Sequence, residues 1–139
     1  MITIKKNGVE GAAYGFPFLG PMDHPLTVPV KINTLTTKEV DARGNLKPGV
    51  PLKIDGALCN AAVGEYVYGA TIEPVKLASV AANPTNALLA ANAGTQLVTV
   101  GVIGIYQRDV CEDNLDRVLT PAELAAFKAA GCHLVLSRT

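Results

Sequence analysis

The 139-residue chain balances 12 Lys+Arg against 12 Asp+Glu, and 49% of it is hydrophobic. That length sets one domain able to bury about two-thirds of its unfolded surface, and so apolar a composition excludes a chain disordered throughout. Zero formal charge with no basic run excludes the electrostatic footprint of a nucleic-acid binder; it also leaves a free monomer poorly protected against association, which favours life in an assembly.

Residues 1–43 read as an extended N-terminal arm. Pro17, Pro21, Pro25 and Pro29 recur every four residues. Each fixes φ, removes an amide donor and pushes its predecessor into extended geometry, so no helix survives. The same stretch carries Tyr14, Phe16, Phe18, Leu19 and Met22, more apolar surface than a solvated tail normally exposes. The expectation is an arm that lies on another molecule. Within it, Val28, Val30 and Ile32 alternate with Pro29, Lys31 and Asn33. Period two with β-branched residues predicts a strand, and Pro29 places it at an edge or a strand start.

A compact domain is expected over residues 44–139. Residues 46–54 read as a turn at Pro48-Gly49 and then a strand, with Asp55-Gly56 as a second turn. Residues 64–72 read as another strand, its glycines marking bends or close backbone approach. In the Ala/Asn-rich stretch 78–96, Asn83-Pro84 is expected to cap and open a short helix that Gly94 closes. Leu97 to Tyr106 predicts one central strand, with Val98, Val100 and Val102 on one face and Ile103 and Ile105 on the other. Asp109, Glu112, Asp113 and Asp116 read as a solvated loop. Thr120-Pro121-Ala122-Glu123 is a capping box with Pro at the first helical position. Leu124, Phe127 and Ala130 form the buried face, Gly131 the left-handed cap, and residues 133–136 a last strand. No internal repeat is present. The predicted class is mainly β with short helices, α+β.

The chemistry-bearing residues are few. No apolar run approaches the length of a membrane span, and the start lacks the apolar core of a secretory signal. Cys59, Cys111 and Cys132 are odd in number and lack C-x-x-C spacing, so buried free thiols are expected rather than a disulfide or zinc site. His24 lies in the arm. His133 neighbours Cys132, and adjacent strand residues face opposite ways, so the two form no dyad. The acidic cluster lacks the spacing of a calcium loop, and Arg108 and Arg117 flank it. Gly101 to Gly104 lies inside an apolar strand and is no phosphate loop. No catalytic, metal or cofactor residue is therefore assigned. Two other readings stay open. One is a small enzyme using Cys59 or Cys132. The other is a biotinyl/lipoyl-like carrier modified at Lys76, where Pro74-Val75-Lys76-Leu77 loosely matches that family's lysine context.

The order of motifs carries more than any one of them. The L-x-P-G-x-P-L opening at Leu46–Leu52 is followed by Val98-Thr99-Val100-Gly101-Val102-Ile103-Gly104-Ile105-Tyr106. The chain then ends on Leu119-Thr120-Pro121-Ala122-Glu123-Leu124, Ala129-Ala130-Gly131 and Leu134-Val135-Leu136. Over residues 44–136 this is similar to the tailed-phage head decoration (cement) proteins of the lambda gpD type. The resemblance implies a β-clip-like domain without catalysis or cofactor. It implies a homotrimer on local three-fold positions of the expanded head, on the outer surface of a virion assembled in the host cytoplasm. Its partner would be the major capsid protein, with no nucleic acid or membrane. The arm would pair with capsid strands, so the implied contact residues are Tyr14, Phe16, Phe18, Leu19, Met22, Val28, Val30 and Ile32. The chain departs from the pattern in its long arm and in the 78–96 insertion.

Overall fold

Short apolar strands separated by Gly and Pro cannot form one broad sheet, and the chain builds three small ones. A computed structural model describes residues 14–20, 27–33, 35–59, 69–78 and 80–136. The strands are β1 (Phe18–Gly20), β2 (Thr27–Lys31), β3 (Asn45–Leu46), β4 (Pro51–Leu52), β5 (Gly69–Thr71), β6 (Val75–Lys76), β7 (Leu97–Gly101), β8 (Ile105–Gln107) and β9 (His133–Val135). The helices are α1 (Asn86–Ala91), α2 (Arg108–Leu115) and α3 (Pro121–Ala129). The sheets run β2-β7-β5-β4, β1-β8-β9 and β3-β6. All pairs are antiparallel except β8–β9. A parallel pair needs a long crossover, and α2 with α3 supplies it. The class is mixed α+β.

The core gathers Leu46, Val50, Leu52, Val100, Tyr106, Leu119 and Phe127, each almost fully buried. Tyr106 lies at its centre. Its ring meets Phe18 edge-on at 5.1 Å and Phe127 at 5.9 Å, geometries that aromatic quadrupoles favour. Its hydroxyl accepts from the Ala70 amide at 3.2 Å and lies within donating distance of the carbonyls of Ala70 (2.9 Å) and Gly101 (2.5 Å). One side chain thus joins β5 and β7 of one sheet to β8 of the other.

The arm expected over residues 1–43 does not stand apart in its described portion. Residues 18–20 are a strand against β8, and residues 27–31 pair along the whole of β7, from Thr27↔Gly101 to Lys31↔Leu97. Phe18, Val30, Ile32, Leu35 and Val40 are core residues. The reason is packing: β7 and β8 expose apolar faces that residues 44–139 alone do not cover. Pro29 sits in an edge strand, as its missing amide requires.

Two further expectations change. The single strand over 97–106 is two strands in different sheets. The break falls at residues 102–104, where Ile103 takes φ +49°, a region that β-branched residues rarely enter. A Cβ at Gly104 would meet the Phe18 ring at 2.5 Å and the Gly20 carbonyl at 2.6 Å, and one at Gly101 the Tyr106 hydroxyl at 2.7 Å. The chain bends there because Phe18 packs into the space the two glycines leave. The acidic stretch expected as a loop is α2, whose i, i+4 pair Cys111 and Leu115 is buried together with Asn114.

Other local signals hold. Gly49 takes φ +95° in the predicted turn, and Gly131 takes φ +85° past α3. The capping box is complete: Glu123 N–H donates to Thr120 Oγ1, and Thr120 N–H donates to the Glu123 carboxylate. For α1 the cap is Thr85, not Asn83, and the helix gives way at Asn92 rather than at Gly94. Of the predicted strand 64–72, residues 69–71 are described, as β5.

Tyr106→Phe tests the central role of the hydroxyl. It leaves the Ala70 amide without that acceptor inside the core, so urea denaturation should show a loss of about 1–3 kcal/mol with the secondary structure kept. An unchanged midpoint would remove the hydroxyl from its place as the tie between sheets.

Candidate partner-binding surface

The residues expected to meet a partner fall into separate environments. Tyr14 donates its hydroxyl to Asp41 Oδ2 at 2.7 Å. Asp41 is buried and also accepts from the amides of Arg43 and Asn45, at 2.9 Å each, so one carboxylate closes the 41–45 turn and holds Tyr14. Gly15 exchanges two bonds with the Asn114 side chain, 3.0 Å from its amide and 2.8 Å to its carbonyl. Gln107 N–H donates to the Pro17 carbonyl at 2.7 Å. The segment 14–18 is therefore fastened to α2 and β8 of its own chain.

Burial then sorts the candidates. Phe18, Val30 and Ile32 lie in the core and Val28 packs partly against it, so these four are unavailable as free contacts. Their assignment to a partner is corrected: strand alternation points them inward, onto their own sheets. Phe16 and Leu19 are 48% and 44% exposed. Met22, like His24, lies outside the described residues. Sequence reasoning missed a second group, Ile105, Val135 and Leu136, all exposed on or beside β8 and β9. Alternation about Tyr106 could have found Ile105, had residues 97–106 not been read as one strand buried on both faces.

The alternative chemistries meet specific geometry. Cys59, Cys111 and Cys132 are buried thiols. Burial, with Glu112 and Asp109 adding negative charge, pushes the Cys111 thiol up to about 12. Burial raises that of Cys132 as well. Cys132 is buried while His133 is exposed, as neighbours on a strand should be. A cleft of about 570 Å³ is lined by Cys59 with Glu39, Arg117 and Glu123 among others, but His133 is not on its wall. Lys76 is on β6, paired to β3, and its ammonium donates to the carbonyls of Arg43 and Val80. A swinging-arm lysine stands free on a hairpin tip; this one is tied to backbone on two sides.

The acidic stretch is structural. Glu112 accepts from Arg108 Nε at 3.3 Å and from the Leu119 amide at 2.8 Å, which joins α2 to the approach of α3. Arg117 donates two bonds to Glu123, at 2.8 and 3.1 Å. Burial works against ionising Glu123. The hydrogen bonds from Arg117 and Thr120 outweigh it and hold the carboxyl below its usual range. Among the described residues, no group of three or more His, Cys, Asp or Glu is placed to hold a metal ion, and no helix is long and apolar enough to cross a membrane.

No protein-family model matches the chain, and no curated protein or solved structure is found to be similar to it.

Two predictions follow from these environments. At pH 8 a small thiol reagent should leave all three cysteines of the native protein unlabelled over a time in which the denatured chain labels fully; rapid labelling of one native thiol would reopen the enzyme reading. Glu123 has a folded pKa below its unfolded value of about 4.3. Its contribution is therefore present above that value and lost as pH falls through the folded pKa. Glu123→Gln should melt lower at pH 7 and show a shallower decline in melting temperature below about pH 4.3. An acid limb as steep as the parent's would contradict the pairing.

Proposed function

We propose that this chain is a capsid decoration protein that binds the outside of an expanded phage head as a homotrimer and holds neighbouring major capsid subunits together. The domain is read as β-clip-like, and its role as structural rather than catalytic. The observation that carries this reading is the ordered motif set over residues 44–136. Its two ends fold into one core: Leu46, Val50 and Leu52 of the opening motif, and Leu119, Phe127 and Ala130 of the closing one. That convergence is what a single domain of this type requires.

The means of attachment differs from the one the sequence suggested. Residues 27–32 already complete the sheet edge beside β7, so they are not the strand donated to a shell. The contact is assigned instead to residues 1–13 together with the exposed Phe16, since Tyr14 and Gly15 are fastened within the chain. Three copies of even a weak contact act at high effective concentration on a three-fold site. A ligand that binds the intact shell and not its separated parts stabilises the shell by mass action.

The test mixes purified protein with expanded, undecorated heads and images where it lands. Density at local three-fold positions, and heads that survive a harsher chelator or heat challenge, are the expected results. Deleting residues 1–13 should leave the melting temperature within a few degrees and abolish decoration. Deleting residues 1–33 is the wrong experiment, because it removes β1 and β2. Full decoration by the 1–13 deletion would overturn the attachment. Absence of any binding to several head types would overturn the function.

A further inference from the structure

Two buried polar side chains hold two successive residues just before β1. Asn114 of α2 is 1% exposed, and both ends of its amide go to residue 15. Its Oδ1 accepts from the Gly15 amide at 3.0 Å, and its Nδ2 donates to the Gly15 carbonyl at 2.8 Å. Asp41 is 3% exposed. Its Oδ1 closes the 41–45 turn, and its Oδ2 accepts from the Tyr14 hydroxyl at 2.7 Å.

Neither tie is needed by the element that supplies it. Asparagine competes with helical hydrogen bonds, and a buried amide costs free energy unless both its ends are matched. An aliphatic residue at position 114 would therefore serve α2 better by itself. The 41–45 turn keeps the amides of Arg43 and Asn45 on Oδ1 without Tyr14. Nor do the ties fill the core, because Tyr14 and Gly15 are only partly buried. The apolar hold on this segment begins at Pro17 and Phe18.

Residue 15 is also fitted to its place. A Cβ there would meet Val110 Cγ1 at 2.7 Å, so α2 closes on the bare backbone of a glycine. Two residues on, the Gln107 amide holds the Pro17 carbonyl at 2.7 Å. The exposed Phe16 is thus carried between two neighbours whose backbone is fixed.

We infer that Asp41 and Asn114 are positioning residues, which fix the direction in which residues 1–13 leave the domain and hold Phe16 still beside that exit. The inference rests on the attachment proposed above. It adds a reason for burying polar groups at a place where the core gains nothing. A contact segment with a fixed root loses less conformational freedom on docking, and the gain recurs in every copy on the head. Being buried, Asp41 and Asn114 act through residues 14 and 15.

Tyr14→Phe breaks one tie and leaves the 41–45 turn closed. Asn114→Leu breaks the other with a side chain of similar size. Each full-length variant is compared with the parent for melting temperature and for affinity to expanded, undecorated heads. Tyr14→Phe should melt within a few degrees of the parent, and affinity should fall about tenfold in each variant. A purely structural role would lower the melting temperature and leave the affinity of the folded chain unchanged. If deleting residues 1–13 abolishes decoration while Tyr14→Phe binds as the parent does, the attachment stands and the inference is overturned. A second readout needs no heads. In Phe16→Cys the native thiols are buried, so a nitroxide reagent reports on residue 16. The label should be held in that chain, and adding Tyr14→Phe or Asn114→Leu should shorten its correlation time severalfold. A label equally mobile with and without the ties overturns the inference, whether or not any head is bound.

Discussion

The fold depends on one contact: the Phe18 ring seated against Tyr106 in the space that Gly101 and Gly104 leave empty. Tyr106 is large, fully buried and polar at its tip. A buried hydroxyl must find partners, and among the described residues the backbone groups of Ala70 and Gly101 reach it. To bring them within reach, β5 and β7 must approach β8 from the neighbouring sheet. That approach is possible only where no side chain intervenes, which is why glycine stands at the crossing. The left-handed Ile103 between the two glycines is the local cost of the bend.

This constraint explains the fate of the N-terminal stretch. Residues 18–20 and 27–31 are extended, as proline at every fourth position in this stretch requires. Extension does not make them an external arm. An extended apolar strand satisfies its backbone at any open edge, and the nearest open edges are those of β7 and β8 in the same chain. Pairing there closes long loops within one chain, from Phe18 to Tyr106 and from Thr27 to Gly101, at a cost that grows only slowly with length, whereas pairing with another molecule costs translational and rotational freedom. The same physics that makes a donated strand attractive to a partner makes it attractive at home. Asn114 and Asp41 add polar fastenings to Gly15 and Tyr14 that no alternation of hydrophobic residues would reveal.

What was legible in the sequence was local. The capping box at Thr120–Glu123 and the turn at Gly49 rest on interactions within a few residues, while the edge proline at 29 and the buried thiols follow from residue type; all stand in the structure. What was not legible was long-range or depended on direction. Residues 97–106 are apolar on both faces, so periodicity could not show that the chain changes sheets in the middle. Helix α2 carries Asp109, Glu112 and Asp113, and its composition reads as loop; it is helical because Cys111 and Leu115 bury one stripe against the core while Glu112 ties the next segment. Of the candidate contact residues, Phe16 and Leu19 kept the exposure expected of them. Phe18, Val30 and Ile32 lost it because the β7 and β8 faces needed cover.

The distribution of edge protection carries the last step. Stability alone does not demand that β2 hold Pro29 and Lys31, or that Gln96 spend both ends of its amide on β6. Such features reduce pairing with other chains, and they are useful only to a molecule that would otherwise pair indiscriminately. A neutral surface makes that hazard greater, since no net charge keeps copies apart. Among the described residues these protections fall on β2, β3, β4 and β6, so the places where the chain's own segments cover an edge are set by where the prolines, the lysine and the glutamine sit.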